Sequence, residues 1–273
     1  MPMAQATVPV LDRGFIFGDG VYEVVPLYHG KYFRLEQHLA RLQRSLDGIR
    51  LINPHSVAEW RGVLEELVAR NPAAPQQTVY MQITRGVAPR DLAFPNVPPT
   101  VFAMLNQIQA PTRAAQQRGI SAITVEDLRW QHCDIKAITL LPNVLARQQA
   151  LDAGVQEAIL VRNGEALEGA ASNLFMVRGD ALITPPQGRN LLPGITRDVV
   201  LTLASEAGMR AREGALTIAG LRAADELWLT SSNKEIQAVT RLNGGPVGSG
   251  VPGPWWEILS ARYDLFKATL VGI

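Results

Sequence analysis

One cysteine, four lysines and a formal charge of only +1 limit what this 273-residue chain can do. The lone Cys133 rules out an internal disulfide, and a cytoplasmic setting is the expectation. Near-neutral charge supplies no broad basic field, so neither nucleic acid nor an anionic membrane is an expected partner. No apolar run reaches the roughly 20 residues of a membrane span, and the start of the sequence lacks a signal-peptide pattern. The two commonest nucleotide fingerprints are missing as well. There is no G-x-x-x-x-G-K-[ST], and Phe17-Gly18-Asp19-Gly20 precedes a strand pattern rather than a helix, which fails the dinucleotide test. Internal repeats, low-complexity tracts and metal-ligand spacings are absent too.

What remains is an ordinary globular composition, 47% hydrophobic and 19% charged, long enough for two modest domains or one large one. Three glycines between Gly14 and Gly20 mark a tight loop, followed by a strand over 21–28. Leu35, Leu39, Leu42, Leu46 and Ile49 recur at helical spacing. Arg41 and Arg44 lie in that helix; one of them could face inward, with a solvated arginine as the default reading. Ser56-Val57-Ala58-Glu59 is a capping box. Residues 86–99 form a proline-rich excursion between two strands, and Arg90 on it could reach over a pocket or simply lie in water. The polar stretch 110–119 is the weakest in pattern. It suggests a small domain over 1–110, a linker at 111–119 and a larger domain over 120–273. In that second part Asn163-Gly164 is the best hairpin signal, and Asn243-Gly244 turns a last one. Residues 191–200 read as a loop entering a helix that runs to about Ala207, with Thr196 as the candidate cap. The fold class is α+β, without the regular alternation of a doubly wound sheet.

Four lysines among 26 basic residues leave 22 arginines, so lysine is used sparingly, and Lys136 falls in the mostly apolar run from Ile135 to Leu141. A desolvated lysine moves toward the neutral amine, the nucleophile that forms a Schiff base with an aldehyde. A lysine with a buried stem and a solvated head fits the same pattern. Three other features bear on the choice: Glu168 before a run of small residues, a helix start after Gly194, and the strand end Thr230-Ser231-Ser232. Helix N-termini with nearby hydroxyls bind phosphate, because free N–H groups and the dipole favour an anion. An imine-forming lysine, a phosphate cradle and a carboxylate for a pyridinium nitrogen together describe a pyridoxal-phosphate site. Each alone also has a bland reading, with Thr196 as a plain helix cap and the serines as a plain strand end.

The segments Arg13-Gly14-Phe15-Ile16-Phe17-Gly18-Asp19-Gly20-Val21-Tyr22-Glu23, Asp134-Ile135-Lys136, Glu168-Gly169-Ala170-Ala171-Ser172-Asn173 and Pro193-Gly194-Ile195-Thr196-Arg197 stand in one order along the chain. In that order and spacing the sequence resembles the fold-type IV pyridoxal-phosphate enzymes over nearly its whole length. It is most similar to the bacterial D-amino acid transaminases, also through Ile83-Thr84-Arg85-Gly86-Val87-Ala88-Pro89-Arg90. The resemblance implies a two-domain α+β fold, a small N-terminal domain and a larger strand-rich one, with the site between the domains of a homodimer. It implies that Lys136 forms the Schiff base and shuttles the substrate proton, and that Glu168 pairs with the pyridinium nitrogen. Arg41 would contact the cofactor phosphate, as would the backbone of Ile195 and Thr196 and the donors of Ser231 and Ser232. Leu192 would pack on the cofactor ring. Tyr22 and Arg90, the latter from the partner subunit, would hold the substrate carboxylate. The family's loop histidine is replaced by Leu92, which removes one donor and enlarges the apolar side of the pocket. The activity expected is ping-pong transfer of an amino group from a D-amino acid such as D-alanine to a 2-oxo acid. The alternatives are an R-selective amine transaminase, a branched-chain L-amino acid transaminase and an aminodeoxychorismate lyase-like enzyme.

Overall fold

A computed structural model describes residues 1–109 and 112–272, which form two compact units. The first holds Met1–Ile108 together with Ile135–Leu140. The second holds Gln109–Asp134 and Leu141–Ile273. Lys136 therefore belongs to the first unit, although it lies within the stretch that the sequence assigns to the second domain. The domain end expected at residue 110 falls at Ala110 and Pro111, outside the described residues.

The first unit is a four-stranded antiparallel sheet in the order β2 (Lys31–Tyr32), β1 (Gly20–Tyr28), β3 (Gln76–Thr84) and β4 (Thr100–Gln107). β1 and β3 pair without a slip from Gly20 opposite Thr84 to Tyr28 opposite Gln76. Alternation along β1 turns Val21, Val25 and Leu27 to the core. Helix α2 (Leu35–Gly48) lays Leu39, Leu42 and Leu46 against them, and α3 (Val57–Ala69) adds Trp60 and Leu64. The capping box of α3 is formed in full by Ser56 and Glu59. The glycine-rich stretch is not a plain loop. Asp12 accepts from the Gly14 N–H at 2.8 Å, and Gly18 closes a single helical turn in the left-handed region. That turn, α1 (Arg13–Phe17), has both end signals built in, which is why it forms.

The second unit opens with α4 (Arg113–Arg118), capped by Thr112, inside the stretch expected as a linker. Strands β5 (Ile120–Glu126), β6 (Glu157–Arg162), β7 (Glu165–Gly169), β8 (Ser172–Arg178) and β9 (Ala181–Thr184) follow, with α5 (Leu141–Asp152) between β5 and β6. Next come α6 (Ile195–Glu206), β10 (Arg210–Glu213), β11 (Leu216–Thr217) and α7 (Ile218–Arg222). β12 (Glu226–Ser231), β13 (Glu235–Leu242), β14 (Gly245–Pro246) and α8 (Pro254–Val271) complete it. The large sheet runs β10-β9-β8-β12-β13-β5-β6-β7-β11, and β7 also pairs with β8. Six strands therefore close on one another, from β8 through β12, β13, β5, β6 and β7 back to β8. Closure removes sheet edges and gives Ile159, Leu174, Leu227, Leu229 and Val239 a common core. The β6–β7 hairpin turns at Asn163-Gly164 with positive φ at both residues, as the dipeptide predicts. β5 and β6 are parallel, joined through α5, within a mixed sheet. Among the described residues no helix is long and apolar enough to cross a membrane.

Candidate active site

Each unit carries its own share of the residues singled out in the sequence. In the first, Lys136 lies on the segment 135–140, which is stitched along β1. The Tyr22 N–H donates to the Lys136 carbonyl at 3.0 Å, and the Ile138 N–H donates to the Gly20 carbonyl at 3.1 Å. From α2, Ser45 accepts from the Lys136 N–H at 3.1 Å. The half-buried Lys136 side chain places Nζ 4.1 Å from the centre of the Tyr22 ring. Tyr22 in turn stacks on Tyr80 with ring centres 5.7 Å apart. The lysine thus approaches an aromatic face from a backbone fixed at three points.

Glu23 follows Tyr22, so alternation along β1 turns it to the opposite face, where α2 packs. Arg41 is buried with it, so of the two arginines on this helix it is the one that faces inward. It lies on the same helical face as His38 and Ser45, which turns toward the sheet rather than to water. Its Nε and Nη2 donate to the two Glu23 oxygens at 2.7 and 2.8 Å, and His38 Nδ1 lies 2.9 Å from Glu23 Oε2. Burial alone would raise the Glu23 carboxyl, but Arg41 and His38 outweigh it and hold Glu23 far below the carboxylate range. Burial pushes His38 down against the pull of Glu23. His38 Nε2 has no hydrogen-bond partner among the described residues. Arg90 and Leu92 sit on the exposed excursion after β3, with Leu92 80% exposed. Arg90 lies over the Phe17 ring at 5.4 Å. Among the described residues no hydrogen bond joins either of them to Tyr22 or Lys136 within the chain.

In the second unit, Glu168 sits near the end of β7 and is 4% exposed. Three donors converge on its carboxylate. Arg129 Nη1 binds Oε1, while the Leu192 N–H and Asn173 Nδ2 each reach Oε2 at 3.2 Å. Burial raises the Glu168 carboxyl above its ordinary range despite the opposing pull of Arg129. Arg129 is itself anchored by Asp127 at 2.9 and 3.0 Å, and Arg162 gives Asp127 a second cation at 2.9 Å. Asn173 also donates to the Leu192 carbonyl at 2.8 Å, tying β8 to the loop that enters α6. A Cβ on Gly194 would come within 1.8 Å of Asn173 Oδ1, so this close approach requires glycine.

Gly194 is the cap residue of α6, and Thr196 is a buried residue of the first turn rather than its cap. The main chain already makes the turn at Gly194, so no side-chain cap is used. The N–H groups of Ile195 and Thr196 precede the first intrahelical bond, from Asp198 to Gly194 at 3.2 Å. α6 packs against β12, whose Thr230 hydroxyl is buried without a partner among the described residues. Ser172 on β8 has an equally orphaned hydroxyl. Ser231 accepts from the Lys234 N–H at 3.2 Å, and Ser231 and Ser232 are half-buried. Cys133 is buried with its thiol pushed up by burial, which fits a structural residue.

Free helix N–H groups and orphaned buried hydroxyls suit a phosphate, and a buried carboxylate held by three donors suits a protonated ring nitrogen. Sequence reasoning missed Arg129 and Asp127 as members of this arrangement, and it named Asn173 and Thr230 only as parts of longer segments, without a role of their own. Asp127-Leu128-Arg129 at the end of a strand carries no motif, and Glu168 is 39 residues away.

The profile of the amino-transferase class IV family matches residues 20–242. The chain is 42% identical over 255 residues to the D-alanine aminotransferase of Bacillus licheniformis, covering 93% of this chain and 89% of that protein. It is 38% identical over 264 residues to the D-alanine aminotransferase of Staphylococcus haemolyticus, covering 96% and 93%. Among solved structures it resembles the branched-chain amino acid aminotransferase of Escherichia coli with a TM-score of 0.91 and 29% identity, over 97% of this chain and 91% of that one. The branched-chain amino acid aminotransferase of T.th., solved with pyridoxamine 5'-phosphate, gives a TM-score of 0.91 and 27% identity, over 100% and 92%.

Proposed function

This chain belongs to the class IV aminotransferase family, and from that premise we propose a specific donor, a D-amino acid with D-alanine foremost. It is a fold-type IV, pyridoxal 5'-phosphate-dependent aminotransferase. The observation that carries the donor assignment is the 42% identity, across nearly the whole chain, to a D-alanine aminotransferase. When bound, the cofactor supplies an electrophilic carbon and an electron-withdrawing ring. Lys136 supplies the amine that holds the cofactor and moves the proton at the donor α-carbon through Nζ. Its backbone, fixed by Gly20, Tyr22 and Ser45, supports that role by limiting where Nζ can travel. Glu168 is assigned the pyridine nitrogen, and its three donors orient the carboxylate and favour its ionised form. Ile195, Thr196, Ser231 and Ser232 are assigned the phosphate, with Thr230 added on the strength of its orphaned hydroxyl. Arg41 is assigned the phosphate through the family resemblance, while Glu23 fixes its guanidinium. Leu192 packs on the cofactor ring, and its N–H holds Glu168. Tyr22, Arg90 and Leu92 form the substrate side, and the protein works in the cytoplasm as a homodimer, with Arg90 of one subunit serving the other.

A 2-oxo acid accepts the amino group in the second half-reaction. The branched-chain reading is supported by the two solved structures and by the apolar Leu92, so the donors are tested side by side. The cofactor absorbance is followed on separate addition of D-alanine, L-leucine and (R)-1-phenylethylamine. D-alanine is expected to bleach it fastest. Fast bleaching by L-leucine alone overturns the assignment.

A further inference from the structure

The excursion after β3, which carries Arg90 and Leu92, is fastened at its base and near its tip. At the base, Gly86 takes φ +95, and a Cβ there would lie 2.1 Å from the Pro98 carbonyl, so the two ends of the loop touch. The Arg13 N–H donates to the Gly86 carbonyl at 2.9 Å, and Asp12 bridges Val87. Near the tip, the Arg13 guanidinium donates to the carbonyls of Asp91 and Leu92. Arg85 lies under the Phe94 ring at 3.7 Å, with Arg50 against the same ring at 5.4 Å. Both gripping arginines are fixed by one acceptor. Arg13 Nε and Arg85 Nε each donate to Asp19 Oδ2 at 2.8 Å. Arg85 spends its remaining donors on the carbonyls of Ile49 and Arg50, at 2.7 and 3.2 Å. Arg13 and Arg85 are both almost fully buried, so this is not a pair of surface ion pairs that salt would erase.

We propose that Asp19, acting through Arg13 and Arg85, is a positioning residue that fixes the height of the 90–94 loop and so sets how well the enzyme takes substrates bearing a carboxylate. This rests on the reading above that Arg90 meets the substrate carboxylate. Asp19 touches no substrate. One carboxylate oxygen holds two guanidiniums apart at a set distance, and those guanidiniums hold the carbonyls on either side of the Asp91–Leu92 bond and the ring of Phe94. Loss of the charge at Asp19 weakens the anchor that both arginines share, with Arg85 still held by the Ile49 and Arg50 carbonyls. The loop then moves as a unit, because its base stays closed at Gly86.

The test uses the holoenzyme and two reagents with the same attacking nitrogen. Aminooxyacetate carries a carboxylate and hydroxylamine carries none. Reaction with the cofactor is followed by absorbance in the wild type, in Asp19→Asn and in Phe94→Ala, the last a change at an exposed side chain that leaves the core intact. In both variants the rate with aminooxyacetate is expected to fall about tenfold, the size of one charged hydrogen bond, while the hydroxylamine rate is unchanged. The KM for D-alanine should rise by a similar factor with kcat little altered, and trypsin should cut after Arg90 faster in Asp19→Asn. Equal loss with both reagents, or no loss with either, overturns the proposal. If Asp19→Asn does not fold, Phe94→Ala decides by the same ratio. A wild type that ignores D-alanine but prefers aminooxyacetate, with that preference lost in the variants, sinks the donor assignment and still supports the clasp.

Discussion

Replacing Arg129 by methionine removes the guanidinium that pairs with Glu168 while keeping the volume of its stem. In the native arrangement Glu168 is buried, and its carboxylate accepts from Arg129, Leu192 and Asn173. A hydrogen bond to a charged group contributes about 1.5–3 kcal/mol. The loss of Arg129 should therefore remove about 1.5–3 kcal/mol of support for the ionised form and push the Glu168 carboxyl further up, since burial already raises it. Asp127 keeps Arg162 as a counter-charge at 2.9 Å, so the second carboxylate of the cluster is not stranded. The sign follows from proton binding. A carboxyl raised in the folded state holds its proton longer than the unfolded chain does, so it favours folding most in acid. That contribution is lost as pH climbs from 4.5 through the folded value. In Arg129→Met the decline should extend to higher pH. The same titration governs the cofactor, because only the ionised carboxylate holds a protonated pyridine nitrogen. The assay is equilibrium titration of apoenzyme with pyridoxal 5'-phosphate across the acid and neutral range. The acid limb of affinity should move to higher pH in Arg129→Met and should vanish in Arg129→Met/Glu168→Gln. Superimposable limbs in the wild type and Arg129→Met would refute the reasoning.

Two further substitutions address the first unit. Glu23 is held far below 4.5, so its contribution to stability is full above that pH and is lost as pH falls toward the folded value. Glu23→Gln should cost about 3–5 kcal/mol at neutral pH, because it takes the charge from a buried partner of Arg41. It should also flatten the acid side of a plot of thermal midpoint against pH; an unchanged acid slope contradicts the assignment. Leu92→His restores a donor on the substrate loop and should lower the KM for D-alanine about tenfold, with kcat little changed. A KM that stays the same or rises places Leu92 away from the carboxylate.

What could be read from the sequence was local chemistry. The Ser56–Glu59 box and the Asn163-Gly164 turn each complete their hydrogen bonds within a few residues, and both formed as the residues suggested. Segment order carried the family, because Lys136, Glu168 and the Gly194-Ile195-Thr196 entry lie on separate elements with fixed spacing. The partners of those residues were not legible. Glu168 meets Arg129 across 39 residues, Asp19 meets Arg85 across 66, and Arg13 meets the Asp91 carbonyl across 78. Chain closure of that kind leaves no periodicity to follow. Helical spacing alone did not say which of Arg41 and Arg44 faces inward, because it does not reveal that a buried Glu23 waits on the sheet beneath Arg41. Thr196 had the right side chain for a cap, yet the backbone at Gly194 had already made the turn.

The scarcity of lysine makes the central assignment directly measurable. Borohydride reduction of the holoenzyme fixes the cofactor to whichever amine holds it, and peptide mass mapping then identifies the residue. With lysine only at positions 31, 136, 234 and 267, the candidates separate cleanly after digestion. The adduct is expected on the peptide containing Lys136, with loss of the cofactor absorbance in Lys136→Ala. An adduct on Lys31, Lys234 or Lys267, with Lys136 unmodified, would contradict the account.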